Sequence, residues 1–179
     1  MRLKFYSIFF IMIASIFSGC IQNITPQGLT VSVPASQITK SLEEQFPITK
    51  DFDYGKITLE DPKASLRAGS NRVIAGTSIS VSSALTPKQS GSLFVSGTPY
   101  FDAKSGAVYL REPNIEKLEF NGYEIASFMQ GPLKSALIPI INEVFKSRPI
   151  YTLNKSSFQK SFVNNIRVED GELLITFGL

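Results

Sequence analysis

The segment from Tyr123 to Lys146, YEIASFMQGPLKSALIPIINEVFK, carries the longest helical period in the chain after its leader. Ile125, Phe128, Met129, Leu133, Ala136, Leu137, Ile140, Ile141, Val144 and Phe145 step by three or four with adjacent pairs, which draws a broad apolar stripe on a helix. Ser127, Gln130, Lys134, Ser135, Asn142, Glu143 and Lys146 take the other side, and only Ile138 breaks the division. Such a helix would be about 36 Å long, and its stripe needs a cover of comparable length. The rest of the chain reads mostly as strands. The expected fold class is therefore α+β, a curved antiparallel sheet wrapped around one long helix in the C-terminal half, with a shorter N-terminal helix. Gly131-Pro132 and Pro139 work against an unbroken helix, since each proline removes a donor and crowds the carbonyl four residues earlier. A kink, or a fresh start with Pro132 at the first helical position, is expected.

The stripe has two readings. It is the buried face of an ordinary core helix, or it is one wall of a groove. As a wall, Phe128, Met129, Leu133, Leu137, Ile140, Ile141, Val144 and Phe145 line a binding site, and a charge such as Leu137→Asp blocks ligand while sparing the fold. The flexible Met129 and the large Phe128 and Phe145 suit a wall.

The 179 residues, 43% hydrophobic, allow one core and argue against two domains. The net charge of +3 falls to +1 once Arg2 and Lys4 leave with the leader, which gives no basis for a nucleic-acid partner. With no histidine and a single cysteine, an imidazole triad and a Cys/His zinc site are both excluded. Carboxylate pairs at Glu43-Glu44, Asp51 with Asp53, or Glu60-Asp61 remain for acid–base work, but each lies in a polar, turn-like or helix-surface context that reads as solvated charge. No phosphate-cradling glycine loop is present. The expectation is a protein that is not an enzyme and needs no cofactor or metal.

Met1 to Cys20 has Arg2 and Lys4 ahead of an apolar run from Phe5 to Phe17, then Ser18, Gly19 and the sole cysteine. Charge, length and order are those of a secretory signal, and the run is too short to span a bilayer, which takes about 20 apolar residues. Phe17-Ser18-Gly19-Cys20 resembles the lipobox of bacterial lipoproteins, with Phe17 where leucine is usual. The resemblance implies residues 1–19 as signal peptide, acylation of Cys20 and cleavage before it. Several acyl chains at about 0.8 kcal/mol per CH₂ anchor a protein permanently. Ile21 follows the cysteine where an aspartate would argue for inner-membrane retention. The expected address is thus the outer membrane, on its periplasmic side, with the membrane as partner through acylated Cys20.

Residues 20–33 read as a lipidated tether, passing into an extended piece at Leu29 to Val33, and residues 34–179 as one domain. Ile38, Leu42 and Phe46 space a short helix that Pro47 stops. Strand text follows from Asp51 to Gly122, interrupted at Asp61-Pro62 and at the turn residues Gly69-Ser70-Asn71, with bulge or edge positions at Gly97 and Pro99. Short connections imply antiparallel neighbours. A brief helix bearing Phe158 and Phe162 is expected after the extended Ile150 to Leu153. Asp170-Gly171, between the alternating runs Ile166-Val168 and Leu173-Ile175-Phe177-Leu179, marks a closing hairpin.

The lipobox, the helix ending at Phe46-Pro47, Tyr100-Phe101-Asp102 followed by Ala107 to Leu110, Pro149-Ile150-Tyr151-Thr152-Leu153 and the closing hairpin together resemble the YceB-like bacterial lipoproteins, a family classed by a domain of unknown function. The resemblance implies half of a tubular lipid-binding module of BPI-like type, a curved sheet around a long helix with an apolar groove. Two functions are expected from these features. One is a lipid-anchored, periplasm-facing protein that binds a fatty acid, phospholipid or other apolar ligand between helix and sheet, with Lys146, Arg148, Lys155, Lys160 and Arg167 near an anionic headgroup. The other is a structural or assembly accessory that meets an envelope protein partner.

Overall fold

The computed structural model describes residues 21–25, 28–52, 55–83, 88–120, 123–124, 132–153 and 162–178. Strands dominate it. β1 (Ile21–Thr25), β2 (Gly28–Pro34), β10 (Val163–Glu169) and β11 (Glu172–Phe177) form a four-stranded antiparallel sheet in the order β1-β2-β11-β10. β3 (Ile48–Phe52), β4 (Gly55–Leu66), β5 (Val73–Ser83), β6 (Gln89–Asp102), β7 (Ala107–Phe120) and β8 (Tyr123–Glu124) follow one another in a second sheet, and β9 (Tyr151–Thr152) joins it at Ala107 and Val108 of β7. The helices among the described residues are α1 (Ala35–Glu43) and α2 (Pro132–Ser147).

This overturns the expected fold class: two antiparallel sheets and two short helices replace the single curved sheet around one long helix. Tyr123 and Glu124, assigned to the helix by periodicity, extend the sheet by pairing with Phe120 and Glu119. The helix begins afresh at Pro132 and has 16 residues. Proline at the first position loses no intrahelical bond, because that N–H has no partner in any helix. Pro139 is tolerated inside α2 because it and Ser135, four residues earlier, both face water. The expected helix over Phe158 lies outside the described residues; Phe162 is described, in a turn and exposed.

The stretch read as a tether is also in the structure. β2 sits between β1 and β11, with Val31 opposite Ile175 and Leu29 opposite Phe177. The hairpin that supplies β11 turns at Asp170 (φ 50) and Gly171 (φ 80), two successive left-handed residues that match the twist of the flanking strands.

The buried side chains fall into two groups. Val33, Ile38, Leu42, Leu173 and Ile175 fill the space between the four-stranded sheet, α1 and one end of the larger sheet, where Val73, Val108 and Leu110 meet them. Ile57, Leu59, Ile79, Leu93, Leu118 and others form the second group under α2, which contributes Leu137, Ile140, Ile141 and Val144. Phe145 packs against both groups.

Two irregularities bend the larger sheet. In β4 the pairing slips between Glu60 and Lys63, where Asp61 takes φ 50, so the Asp61-Pro62 interruption read from the sequence is a bulge inside one strand. In β7 the slips lie opposite Phe94 to Thr98 of β6, and Glu112 takes φ 53. Arg72 staples this second bulge: Nη2 donates to the carbonyls of Glu112 at 2.9 Å and Ser96 at 3.1 Å, and Nε donates to Ser96 Oγ at 2.9 Å. The buried Ser96 hydroxyl in turn donates to Glu116 Oε1, which also accepts from Asn114.

Those contacts hold the Glu116 carboxyl below its ordinary value, chiefly through Ser96, then Asn114; partial burial opposes them, and the Arg72 and Arg67 charges add to them. On acidification the unfolded chain therefore takes up this proton first, so the contribution to stability is complete above the ordinary value of 4.5 and is lost as pH falls through the folded value. Between about pH 5 and pH 3, the urea midpoint of the native protein is expected to fall more than that of Glu116→Gln. Equal slopes would remove Glu116 from the acid limb.

Candidate functional site

α2 does not lie flat on the larger sheet along its whole length. Between its last turns and β4 to β7 is a cavity of about 40 Å³, room for roughly three water-sized spheres at 10–15 Å³ each. Ile141, Val144 and Phe145 close it from the helix side. Leu59, Ala75, Leu93 and Val95 close it from the sheet, and Leu42 and Phe46 from the end of α1. Its one charged neighbour among the described residues, Arg148, is committed elsewhere, since Nη1 donates to the Gln45 carbonyl at 3.0 Å while Gln45 Nε2 donates to the Pro149 carbonyl at 2.8 Å. That exchange ties the C-terminus of α2 to the turn after α1. The lining left to a ligand is apolar.

Beside it lies an open cleft of about 820 Å³ around the β4 bulge, walled by Glu43, Phe46 and Pro47, by Glu60 to Lys63, and by Gly76 to Ser78, Ser92 and Phe94. Cleft and cavity share Phe46, Pro62, Gly76 and Thr77. Phe94 lies close over Gly76, where a Cβ would meet its ring at 3.0 Å.

Of the eight residues expected to form a groove wall, Ile141, Val144 and Phe145 line the cavity. Leu137 and Ile140 do not; they are buried in the packed core under α2. The Leu133 side chain, Phe128 and Met129 lie outside what the structure describes, as does Cys20 with the whole leader. The anionic-headgroup expectation fares differently. Arg148 is bonded to Gln45, Arg167 pairs with Glu169 at 2.8 Å, Lys146 is exposed and away from both spaces, and Lys155 and Lys160 are outside the described residues.

Sequence reasoning read the interruption at Asp61-Pro62 but missed the sheet side of the site, which that bulge opens. The signal was present in Asp61-Pro62, a turn pair within a strand pattern, and in Gly76, a glycine in the middle of the next strand, which marks close approach.

The carboxylates of Glu43, Glu60 and Asp61 are solvent-exposed, the solvated state expected for them. Among the described residues no cluster of three His, Cys, Asp or Glu side chains is placed to hold a metal ion, and no helix is long and apolar enough to cross a membrane. No curated protein matches the chain. The family model of the proteins of unknown function termed DUF1439 matches residues 33–172, from the end of β2 to the start of β11, and the chain belongs to that family.

Proposed function

We propose that this protein is an envelope lipoprotein, anchored through acylated Cys20 to the periplasmic face of the outer membrane, that binds the end of an apolar chain of fatty-acyl type between α2 and the larger sheet. Within its family it is placed with the YceB-like lipoproteins, on the lipobox at Phe17 to Cys20 and the Pro149 to Leu153 text. The tubular module is not carried over, because the long helix it needs is not formed. The reading rests on the apolar cavity closed by Ile141, Val144 and Phe145, next to a cleft about twenty times larger. The cavity admits the tip of a chain and the cleft accommodates the remainder. It works as a binding protein, without catalysis, cofactor or nucleic acid.

A second reading, a non-enzymatic assembly accessory for another envelope protein, is supported by the closed packing of Leu137 and Ile140 and the small size of the cavity. Native mass spectrometry separates the two. The chain is secreted from Ile21 onward behind a cleavable leader; every described core residue lies between Val33 and Phe177, so the cut removes none of them. The expected result is a stoichiometric acyl compound that is released on organic extraction and is lost in Val144→Phe, which fills the cavity. A ligand-free mass that lipids do not change would overturn the binding reading in favour of the accessory.

A further inference from the structure

The larger sheet has a gap in its pairing where cleft and cavity meet. β3 covers the edge of β4 only from Gly55 to Leu59, and α1 covers it again at Ala64, whose N–H donates to Thr39 Oγ1 at 2.9 Å. Between them the bulge sets Asp61 and Pro62 against Thr77 alone, with no rung from Glu60–Ser78 to Lys63–Gly76. Pro62 has no N–H to leave unpaired there, and the Thr77 hydroxyl donates to the Glu60 carbonyl at 2.6 Å. Cleft and cavity share Pro62, Gly76 and Thr77 at this point, where no strand pairing has to be displaced.

The charges around the opening are uneven. Glu43, Glu60 and Asp61 face a single Lys63, and none of the four forms an ion pair among the described residues. Phe46 and Phe94 add two aromatic rings to the same cleft. Carboxylates with aromatic faces attract an ammonium group, through Coulomb attraction and the ring quadrupole, and repel a carboxylate or phosphate.

We propose that the β4 bulge is the entrance to the cavity and that its occupant is a single-chain amphiphile with a cationic, ammonium-type head, held between Glu60, Asp61 and the Phe46 and Phe94 rings. This rests on the apolar-chain reading above and names the chemistry of the head.

The full chain, expressed in a bacterium and kept in its membranes, is photolysed with two lauryl probes that carry a diazirine at the chain end and differ only in a trimethylammonium or a carboxylate head. Labelling of the Ile141 to Phe145 segment is the readout. The ammonium probe is expected to label about fivefold more than the carboxylate, and Glu60→Gln combined with Asp61→Asn is expected to bring the two within about twofold of each other. Asn tolerates the left-handed backbone at Asp61, so the second change is compatible with the bulge. Comparing native and variant proteins cancels the different membrane partition of the probes. Equal labelling, a carboxylate preference, or an ammonium preference that survives the neutralisation would each overturn the proposal while leaving chain binding in place. Absence of cavity labelling by either probe, with no difference between the native chain and the cavity-filling variants Val144→Phe and Ala75→Leu, would overturn chain binding as well.

Discussion

Leu137→Asp is expected to abolish cooperative folding. Leu137 is 0% exposed, on the face of α2 that packs over Ile48, Ile57, Ile79 and Leu118, and no cation among the described residues is buried in that core. The ionic contact of α2 among the described residues, Glu143 to Lys50 on β3, is at the exposed side of the helix. Truncation alone, Leu137→Ala, is expected to cost about 3 kcal/mol. An aspartate there adds either a buried, unpaired charge or the cost of protonating it, several kcal/mol more, against a total stability of about 5–15 kcal/mol. Urea titration followed by circular dichroism checks both variants. The alanine variant should keep one transition at a lower midpoint, and the aspartate variant should show none. A native midpoint for Leu137→Asp would mean that the stripe faces an open groove. Leu137 is therefore unsuitable for probing ligand binding, contrary to the expectation from the stripe alone.

The difference between Leu137 and Val144 shows where the sequence stops being informative. Both belong to one stripe with one period, and periodicity identifies only that this side of the helix is covered. Whether the cover closes tightly or leaves a space depends on what stands opposite. Opposite Val144 across the cavity the sheet presents Ala75, a small residue that leaves room, and this placement depends on the register of β5 against β4 and β6. Register between distant strands leaves no local mark.

Local marks, by contrast, were legible. The Asp170-Gly171 hairpin, the helix carrying Ile38 and Leu42, the strand from Val73 and the interruption at Asp61-Pro62 all correspond to features of the structure, because each is decided by neighbours in sequence. The extended piece at Leu29 to Val33 was legible as well, and corresponds to β2, but its partner was not, since β2 is held by β11 about 140 residues away. The long helix failed because a three-to-four spacing continued across Gly131-Pro132 into residues that pair as β8.

Phe145→Ala is expected to carry the second-largest effect and to connect stability with binding. Among the described residues its ring is the one helix side chain packed against both buried groups, and it also closes the cavity. Burial is partial, so the loss should lie toward the low end of the range for Phe→Ala, about 3 kcal/mol. The vacated volume joins the cavity at the end of α2, where Arg148 and Gln45 hold the backbone and limit collapse. A site that cannot collapse bears the full cost of the void but has more room for a chain end. An amphiphile that binds the folded state raises its stability by RT ln(1 + [L]/Kd), so a lauryl-chain ligand should restore more stability to Phe145→Ala than it adds to the native protein. Urea midpoints with and without ligand measure both effects at once. A loss below about 1 kcal/mol would mean that the two buried groups are not joined through this ring. A full loss with no ligand-dependent recovery would mean that the space beneath α2 is a packing defect, since a true site enlarged on its apolar side should hold an apolar chain at least as well as before.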